Sequence, residues 1–472
     1  MKDTSGISIA IPLAGLLLMF AAAPVQQARG ASGDEDIVSF ESVARDDANT
    51  PNNIAIARAL DSAVGDPRAA KMIDFLTRES QQESVGLRPE GVLHLGGTNA
   101  HVTSTGVTVF DVLEPHDLRK DLALIDPEAL TSIFNIRVSQ ANVETANLER
   151  RMDDIRAGST GFSAPGFSLN DTAPGFDQGL AGPSGAEGKS GKSVTEMVPG
   201  PKWGVFLTGL GDFADIGSTS NAKGFNLATG GFNLGGDYRF TPNFAVGVTG
   251  GYTHTDVSLS NSGDLYSDSA KFGAYATAFS GGFYGDAGVS GGFDSYGTHR
   301  TALHGSANGG TDGGNITTLV ATGYDWKKGA LTIGPAADFQ YTYASFNGFS
   351  EHGSLAPLTI HGQAADSIRT SVGMKTTYDW KVAQVHVIPE FKAAWQHEYG
   401  QSDYSLVSSF ANGAGNSFNV QGPSIGRDTL LISAGVSVQL NERFTLYAYY
   451  DGELATDNYE ANNVSAGCRL AF

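Results

Sequence analysis

In the second half of the chain, apolar residues fall on every second position. Between residues 384 and 399, Val385, Val387, Pro389, Phe391, Ala393, Trp395 and Tyr399 share one parity, while Gln384, His386, Glu390, Lys392, Gln396 and Glu398 share the other. Residues 428–440 repeat this, with Leu430, Ile432, Ala434, Val436, Val438 and Leu440 set against Ser433, Gly435, Ser437 and Gln439. A period of two puts such sets on opposite faces of a β-strand. Twelve strands of this kind are predicted between residues 203 and 472. They exceed the roughly 5–6 residues usual in globular proteins and match the roughly 9–11 that a tilted strand needs to cross a bilayer.

The polar parity carries charges of both signs, with Asp338, Arg369, Lys375, Glu390, Lys392 and Arg443 as the candidate lumen-facing residues. Mixed charge suits a wet lumen and not the dry core of a sandwich. Short connections at Thr241-Pro242-Asn243, Gly281-Gly282, Lys327-Lys328-Gly329, Lys381-Val382 and Asn441-Glu442 alternate with longer ones expected at 211–222, 258–266, 296–314, 347–365, 401–427 and 455–462. An even strand count with this alternation predicts an up-and-down antiparallel transmembrane β-barrel. Trp326, Trp380, Trp395, Tyr399, Phe444 and Tyr450 collect near strand ends, as interfacial girdles do.

The first half has other periods. Residues 7–23 are almost wholly apolar and lead to Ala28-Arg29-Gly30, which predicts a secretory signal peptide cleaved after Gly30 with Ala28 three positions before the cut. Pro51-Asn52-Asn53 precedes Ile54, Ala57, Leu60 and Val64, spaced as one helical face, and a second helix is predicted over 67–78. Residues 91–110 read as two or three short strands. Asp126 as N-cap and Pro127 at the first position start a helix that runs to Arg156. Its charged end, 149–156, is either a solvated helix with pairs such as Arg150 with Asp154 or a polar plug in a water-filled pore. Residues 157–201 are rich in Gly, Ser and Pro and read as a flexible linker. Gly188-Lys189-Ser190 invites a phosphate-loop reading, but Gly182 stands one place too early for it.

The fold class is therefore all-β: a 12-stranded barrel at 203–472, preceded by a signal peptide (1–30), a small mixed helical and strand region (31–156) and a Gly/Pro/Ser-rich linker (157–202). Composition narrows the function. A net charge of −20 excludes a nucleic-acid partner, which needs a basic surface. The single cysteine, Cys468, excludes an intrachain disulfide and lies on the apolar parity of the last strand. His94, His101 and His116 lack metal-ligand spacing, no nucleophile elbow precedes Ala157, and no cofactor is predicted.

Residues 203–472 resemble the translocator domain of type V autotransporters. The resemblance rests on the twelve strands and on Trp203-Gly204-Val205-Phe206, Gly235-Gly236-Asp237-Tyr238-Arg239, Gly250-Gly251-Tyr252, 394–399 and the terminal Leu470-Ala471-Phe472. It implies Sec export, insertion by the outer-membrane barrel assembly machinery, and an assembly signal at Ser465, Gly467, Leu470 and Phe472. It also implies a surface-exposed N-terminal passenger joined by a helix that threads the pore. This chain departs from the family in having only residues 31–201 for that role, with no visible repeat.

The first functional reading is a monomeric outer-membrane autotransporter, held in lipid, with a short non-enzymatic passenger at the cell surface. A porin-like barrel with a periplasmic N-terminal region is the alternative. A surface enzyme would need a catalytic set in residues 31–200, and none is visible there.

Overall fold

The computed structural model describes residues 39–46, 49–79, 93–95, 98–100, 115–156, 202–260, 263–383, 385–441 and 444–471. The predicted signal peptide with Ala28 and Gly30, most of the linker, Arg443 and Phe472 lie outside the described residues.

Twelve strands form the wall: β1 (Trp203–Ile216), β2 (Phe225–Thr241), β3 (Phe244–Leu259), β4 (Gly263–Ser280), β5 (Phe283–Ala302), β6 (Gly305–Tyr324), β7 (Leu331–Phe346), β8 (Gln363–Tyr378), β9 (Val385–Glu398), β10 (Asp428–Asn441), β11 (Phe444–Thr456) and β12 (Tyr459–Ala471). Each is antiparallel to the next, and β12 pairs with β1 from Tyr459↔Ile216 to Ala471↔Gly204, so the sheet closes. Closure leaves no edge strand with unpaired backbone groups, which a wall facing lipid requires.

The parity of the sequence appears with its apolar face outward. Val205, Leu207, Phe232, Val248, Phe272, Val320, Val372 and Leu446 are exposed, whereas Thr208, Asp237, Thr255, Ser267, Lys271 and Arg469 are buried inside. A water-soluble barrel would show the opposite polarity.

One end of the barrel, here the lower end, carries Trp203, the start of β1, and the short turns. The upper end differs from the expectation of long loops. The stretches expected as loops at 258–266, 296–314 and 455–462 are mostly strand among their described residues, with turns at 303–304 and 457–458. Likewise β1 continues through 211–216. In these segments the exposed face turns polar, with Asp256, Asp264 and His299, while Val257, Leu265 and Leu303 join the core at the mouth, so the apolar-outward pattern of the wall ends here. His304 and Asn458 take the positive φ that such turns demand, at 50° and 59°.

The two connections that remain long fold into structure of their own. Residues 347–362 and 399–427 contribute Phe349–Ser350, Leu358–Ile360, Ser405–Phe410 and Phe418–Gln421 to a four-stranded sheet over the upper end. Against it pack α1 (Phe40–Asp46), α2 (Pro51–Ala63), α3 (Ala70–Glu79) and α4 (Pro115–Ile125). Thr50 caps α2 by accepting from the Asn53 amide at 3.1 Å, with Pro51 at the first helical position. Helix α4 was not expected from the sequence. Residues Leu93–Leu95 and Thr98–Ala100 form one antiparallel pair, the short strands expected there.

The cap is built around an apolar core in which Phe40, Ile56, Leu60, Leu118 and Leu122 meet Leu358, Ile360, Leu406, Phe410 and Val420. The same core runs on into the barrel mouth through Ile216, Phe225, Leu259 and Phe346. Phe134 joins them, its ring 5.5 Å from Phe346 and 5.2 Å from Tyr404.

Glycine in the wall has a packing reason. Inward-facing rings lie flat on glycines of the neighbouring strand, as Tyr449 does on Gly435, where an added Cβ would sit 1.9 Å from the ring. Gly435→Ala should therefore displace Tyr449 and lower stability by about 1–3 kcal/mol. The check is the temperature at which the compact, heat-modifiable species on a gel becomes fully unfolded. Tyr449→Leu in the Gly435→Ala background should recover part of the loss.

Candidate functional site: the occupied lumen

The lumen holds a helix. A 3-10 turn (Glu128–Thr131) leads into α5 (Ser132–Arg156), which enters from the cap and runs down the barrel. Its 25 residues rise about 37 Å at roughly 1.5 Å each, enough to span the hydrocarbon core. Asp126 does accept from the Glu128 amide at 2.9 Å, but it opens the 3-10 turn and not the α-helix itself. The Pro127 ring follows it there.

α5 is mixed in character: Ile133, Phe134 and Ile136 join the core at the mouth, Leu148, Met152 and Ile155 pack on Phe206, Tyr275 and Leu319 of the wall, and charged residues lie between them. Here its charges are buried and matched by the wall. Arg137 meets Asp294 on β5 at 2.5 Å, and Arg151 meets Asp237 on β2 at 2.5 Å. Arg150 pairs with Asp451 on β11, and Arg156 with Asp286 on β5. In the other sense, Glu144 faces Lys271 on β4 at 3.5 Å, Glu149 faces Lys392 on β9 at 2.7 Å, and Asp153 faces Lys375 on β8 at 2.6 Å. Asp154 pairs with Arg469 on β12. Four helix cations thus meet four wall acids, and four helix acids meet four wall cations.

Neutral contacts fill the intervals. Ser139 donates to Asp212, Gln140 donates to Thr255 at 2.8 Å, and Asn142 donates to Glu453 at 2.7 Å. Aromatic rings of the wall cover the guanidinium groups: Tyr296 lies 5.1 Å from Arg137, Tyr449 4.4 Å from Arg150, and Tyr284 3.7 Å from Arg156. A cavity of about 80 Å³ between Asn142, Glu149, Asp338, Lys392 and Asp451 leaves room for a few waters beside the helix.

The residues singled out by parity fall as follows. Lys375 and Lys392 touch α5 directly. Asp338 accepts from Ser371 and stands 3.9 Å from Lys392. Arg369 pairs with Glu398 at 2.8 Å near the upper end, and Glu390 is buried inside. Ser465 is buried on the inner face, Gly467 lies against the Tyr447 ring, and Leu470 points outward. Of the two readings of 149–156, the solvated helix with an Arg150–Asp154 pair is not what forms, because each partner turns to the wall instead. Asp237, Lys271, Asp286, Asp294, Asp451 and Arg469 went unselected as lumen candidates. They share the inward parity, but nothing in the sequence showed which of many polar residues would meet a helix charge.

At the junction of cap and helix, Asn52 binds three segments. Its Nδ2 donates to the Gln421 carbonyl at 2.8 Å and to Glu128 at 3.3 Å, and its Oδ1 accepts from the Gln421 amide at 2.9 Å and from Asn221 at 3.1 Å. The Lys223 amide donates to Glu128 at 3.0 Å. Arg300, fully buried, forks onto Glu351 at 2.7 Å and donates to the Leu124 carbonyl at 2.8 Å, fixing the end of α4. Burial raises the Asp126 carboxyl well above the usual range, with the Glu128 charge beside it adding to the effect. Burial raises Glu128 as well.

A family model described as "Autotransporter beta-domain" matches residues 205–451, just over half of the chain. An extracellular serine protease of Serratia marcescens is 27% identical over 272 residues, which is 56% of this chain and 25% of that protein. The chain therefore spans about a quarter of the length of the curated relatives it matches. Among solved structures, the translocator domain of the autotransporter NalP from Neisseria meningitidis gives a TM-score of 0.48 at 14% identity, over 57% of this chain and 89% of that one. The β domain of the Bordetella autotransporter Brka gives 0.45 at 16% identity, over 57% and 100%.

Two outcomes are expected. Arg151→Asp or Asp237→Arg alone strands a buried charge and should cost about 3–5 kcal/mol, while the double exchange should recover much of it. Thermal unfolding of the four species checks this. The junction should also respond to pH. Asp126 and Glu128 have folded pKa values above their unfolded ones, so the folded form holds the extra protons. Their contribution is present at low pH and lost as pH rises from the ordinary carboxylate range through the raised values. The denaturant concentration that makes α1–α4 cleavable should fall over that window, and should stay flat in Asp126→Asn/Glu128→Gln.

Proposed function

The chain belongs to the autotransporter β-domain family, and on that premise we propose an outer-membrane barrel that keeps its own N-terminal region as a fixed plug and cap. The observation that carries this reading is the eight-fold matching of charge between α5 and the wall. A segment that only passes through would gain nothing from fitting one position.

In this reading the apolar wall sits in lipid, with the lower end in the periplasm and the cap at the cell surface. The region from residue 31 to Ile125 is the short passenger, and α5 is its tether. The apolar core shared by cap and barrel mouth supports retention over release. The passenger is non-enzymatic in this reading: its Phe40, Ile56, Leu60, Leu118 and Leu122 build the cap core and Asn52 holds the junction. Export by the Sec translocon with cleavage after Gly30, and insertion by the barrel assembly machinery through Ser465, Gly467, Leu470 and Phe472, belong to the same proposal. A porin-like role is disfavoured because α5 occupies the lumen.

Planar-bilayer recording tests the plug. The full-length protein should conduct little, and a variant lacking residues 39–156 should open a steady large conductance. Equal conductance from both would overturn the plug. Protease added to intact cells should remove an epitope near Phe75, and full protection would overturn the surface assignment.

A further inference from the structure

The four tryptophans of the chain divide between the two ends of the barrel, and their charged neighbours differ by end. Three stand at the lower end: Trp203, Trp326 and Trp380 are 55%, 54% and 59% exposed. Each is next to lysine in the chain, as Lys202-Trp203, Trp326-Lys327-Lys328 and Trp380-Lys381, and these lysines are exposed. The fourth, Trp395, stands at the upper end, where its indole N–H donates to Asp428 at 3.0 Å.

Two of the lower sites adjoin. Trp326–Lys328 and Trp380–Val382 are the tips of neighbouring hairpins, joined where the Asp379 amide donates to the Ala330 carbonyl at 2.9 Å. Register places Trp326 and Lys328 opposite Ile333 and Leu331, which face outward. The acids of the same hairpins are turned aside: Asp325 stands 3.3 Å from Lys375, and Asp379 stands 2.8 Å from His386. Uncompensated positive charge is therefore left at the rim, beside two indole rings. Further round, Trp203, Tyr238, Phe240 and Phe244 continue the aromatic band through ring contacts of 4.8, 4.9 and 6.1 Å. At the upper end the outward acids Asp256, Asp264, Asp268 and Asp428 each stand beside a histidine, His254, His299 or His397, and not beside a lysine.

Indole rings settle at the level of lipid headgroups. Ammonium groups at that level attract anionic headgroups. We propose that the rim formed by Trp326, Lys327, Lys328, Trp380 and Lys381 is a docking surface for anionic glycerophospholipid headgroups of the lower leaflet. The proposal rests on the membrane-spanning reading above. It makes the barrel selective for lipid at one end only, and on one side of its circumference, β6 to β9.

The test refolds the full chain into phosphatidylcholine vesicles containing 20% of either brominated phosphatidylglycerol or brominated phosphatidylcholine. Bromine quenches tryptophan only at contact, and two of the four tryptophans lie on the proposed surface. The brominated anionic lipid should quench at least about twofold more than the zwitterionic one, as expected for a site that enriches it. Lys327→Gln/Lys328→Gln/Lys381→Gln should insert normally, judged by heat-modifiable migration, and should lose the difference. Equal quenching by the two lipids, or a difference that survives in the triple variant, overturns the proposal. Failure to insert in either vesicle overturns the membrane-spanning reading, and this proposal with it.

Discussion

The rest of the molecule depends on a charge register between one helix and the wall around it. Eight ionisable side chains of α5 sit buried or half-buried in the lumen. Each has its counter-charge on a strand. Buried ion pairs contribute little net stability, because desolvation offsets most of the attraction. What they contribute is position. Moving α5 by one residue rotates it by about 100° and shifts it by about 1.5 Å, which would set like charges together. The wall answers to the same constraint: its outer face is set by lipid and its inner face by the helix it holds.

The cap follows from the helix. Once α5 is fixed, its upper end leaves the barrel at one place and in one direction. Glu128, Asn52 and the Leu124 carbonyl then meet Lys223, Gln421 and Arg300 within hydrogen-bond reach. The two loops that were long enough to fold against α1–α4 did so, and the three hairpins that were not simply rise. Fold and proposed function meet here, because the apolar core of the cap is continuous with the barrel mouth.

Much of the wall was legible in the sequence. A period of two survives wherever one face meets lipid and the other meets water, so β7, β9, β10 and β11 declared themselves. It failed at the upper ends of β5 and β6, where Tyr296, Arg300, Ala302 and Ala307 face inward under the cap and Gly-rich segments such as 305–314 offer few side chains to alternate. Helix α2 was legible through Pro51-Asn52-Asn53 and the helical spacing of Ile54, Ala57 and Leu60, while α4 lacks so clear an opening signal. The lumen was legible only as a face. Lys375 and Lys392 could be placed on it by counting, but their partners Asp153 and Glu149 lie over two hundred residues away in the chain. Local pattern carries no information on that pairing. Arg150 and Asp154 show the same limit: one helical turn apart, they are near enough to pair, yet each is held by a strand from the far end of the chain.

The arrangement of α5 also determines how the cap would bear a load. A strand pulled from the edge of a sheet parts one bond at a time, like a zip. A helix drawn along its own axis out of a sleeve must strain its contacts together, because they are spread along its length and act in parallel. Tension on the cap, from flow or from a bound surface, would therefore meet the sum of the helix–wall contacts at once. Three of the helix arginines, Arg150, Arg151 and Arg156, sit in the last turns, farthest from the point of pull. The tether would hold most firmly at its far end, as an anchor bolt does.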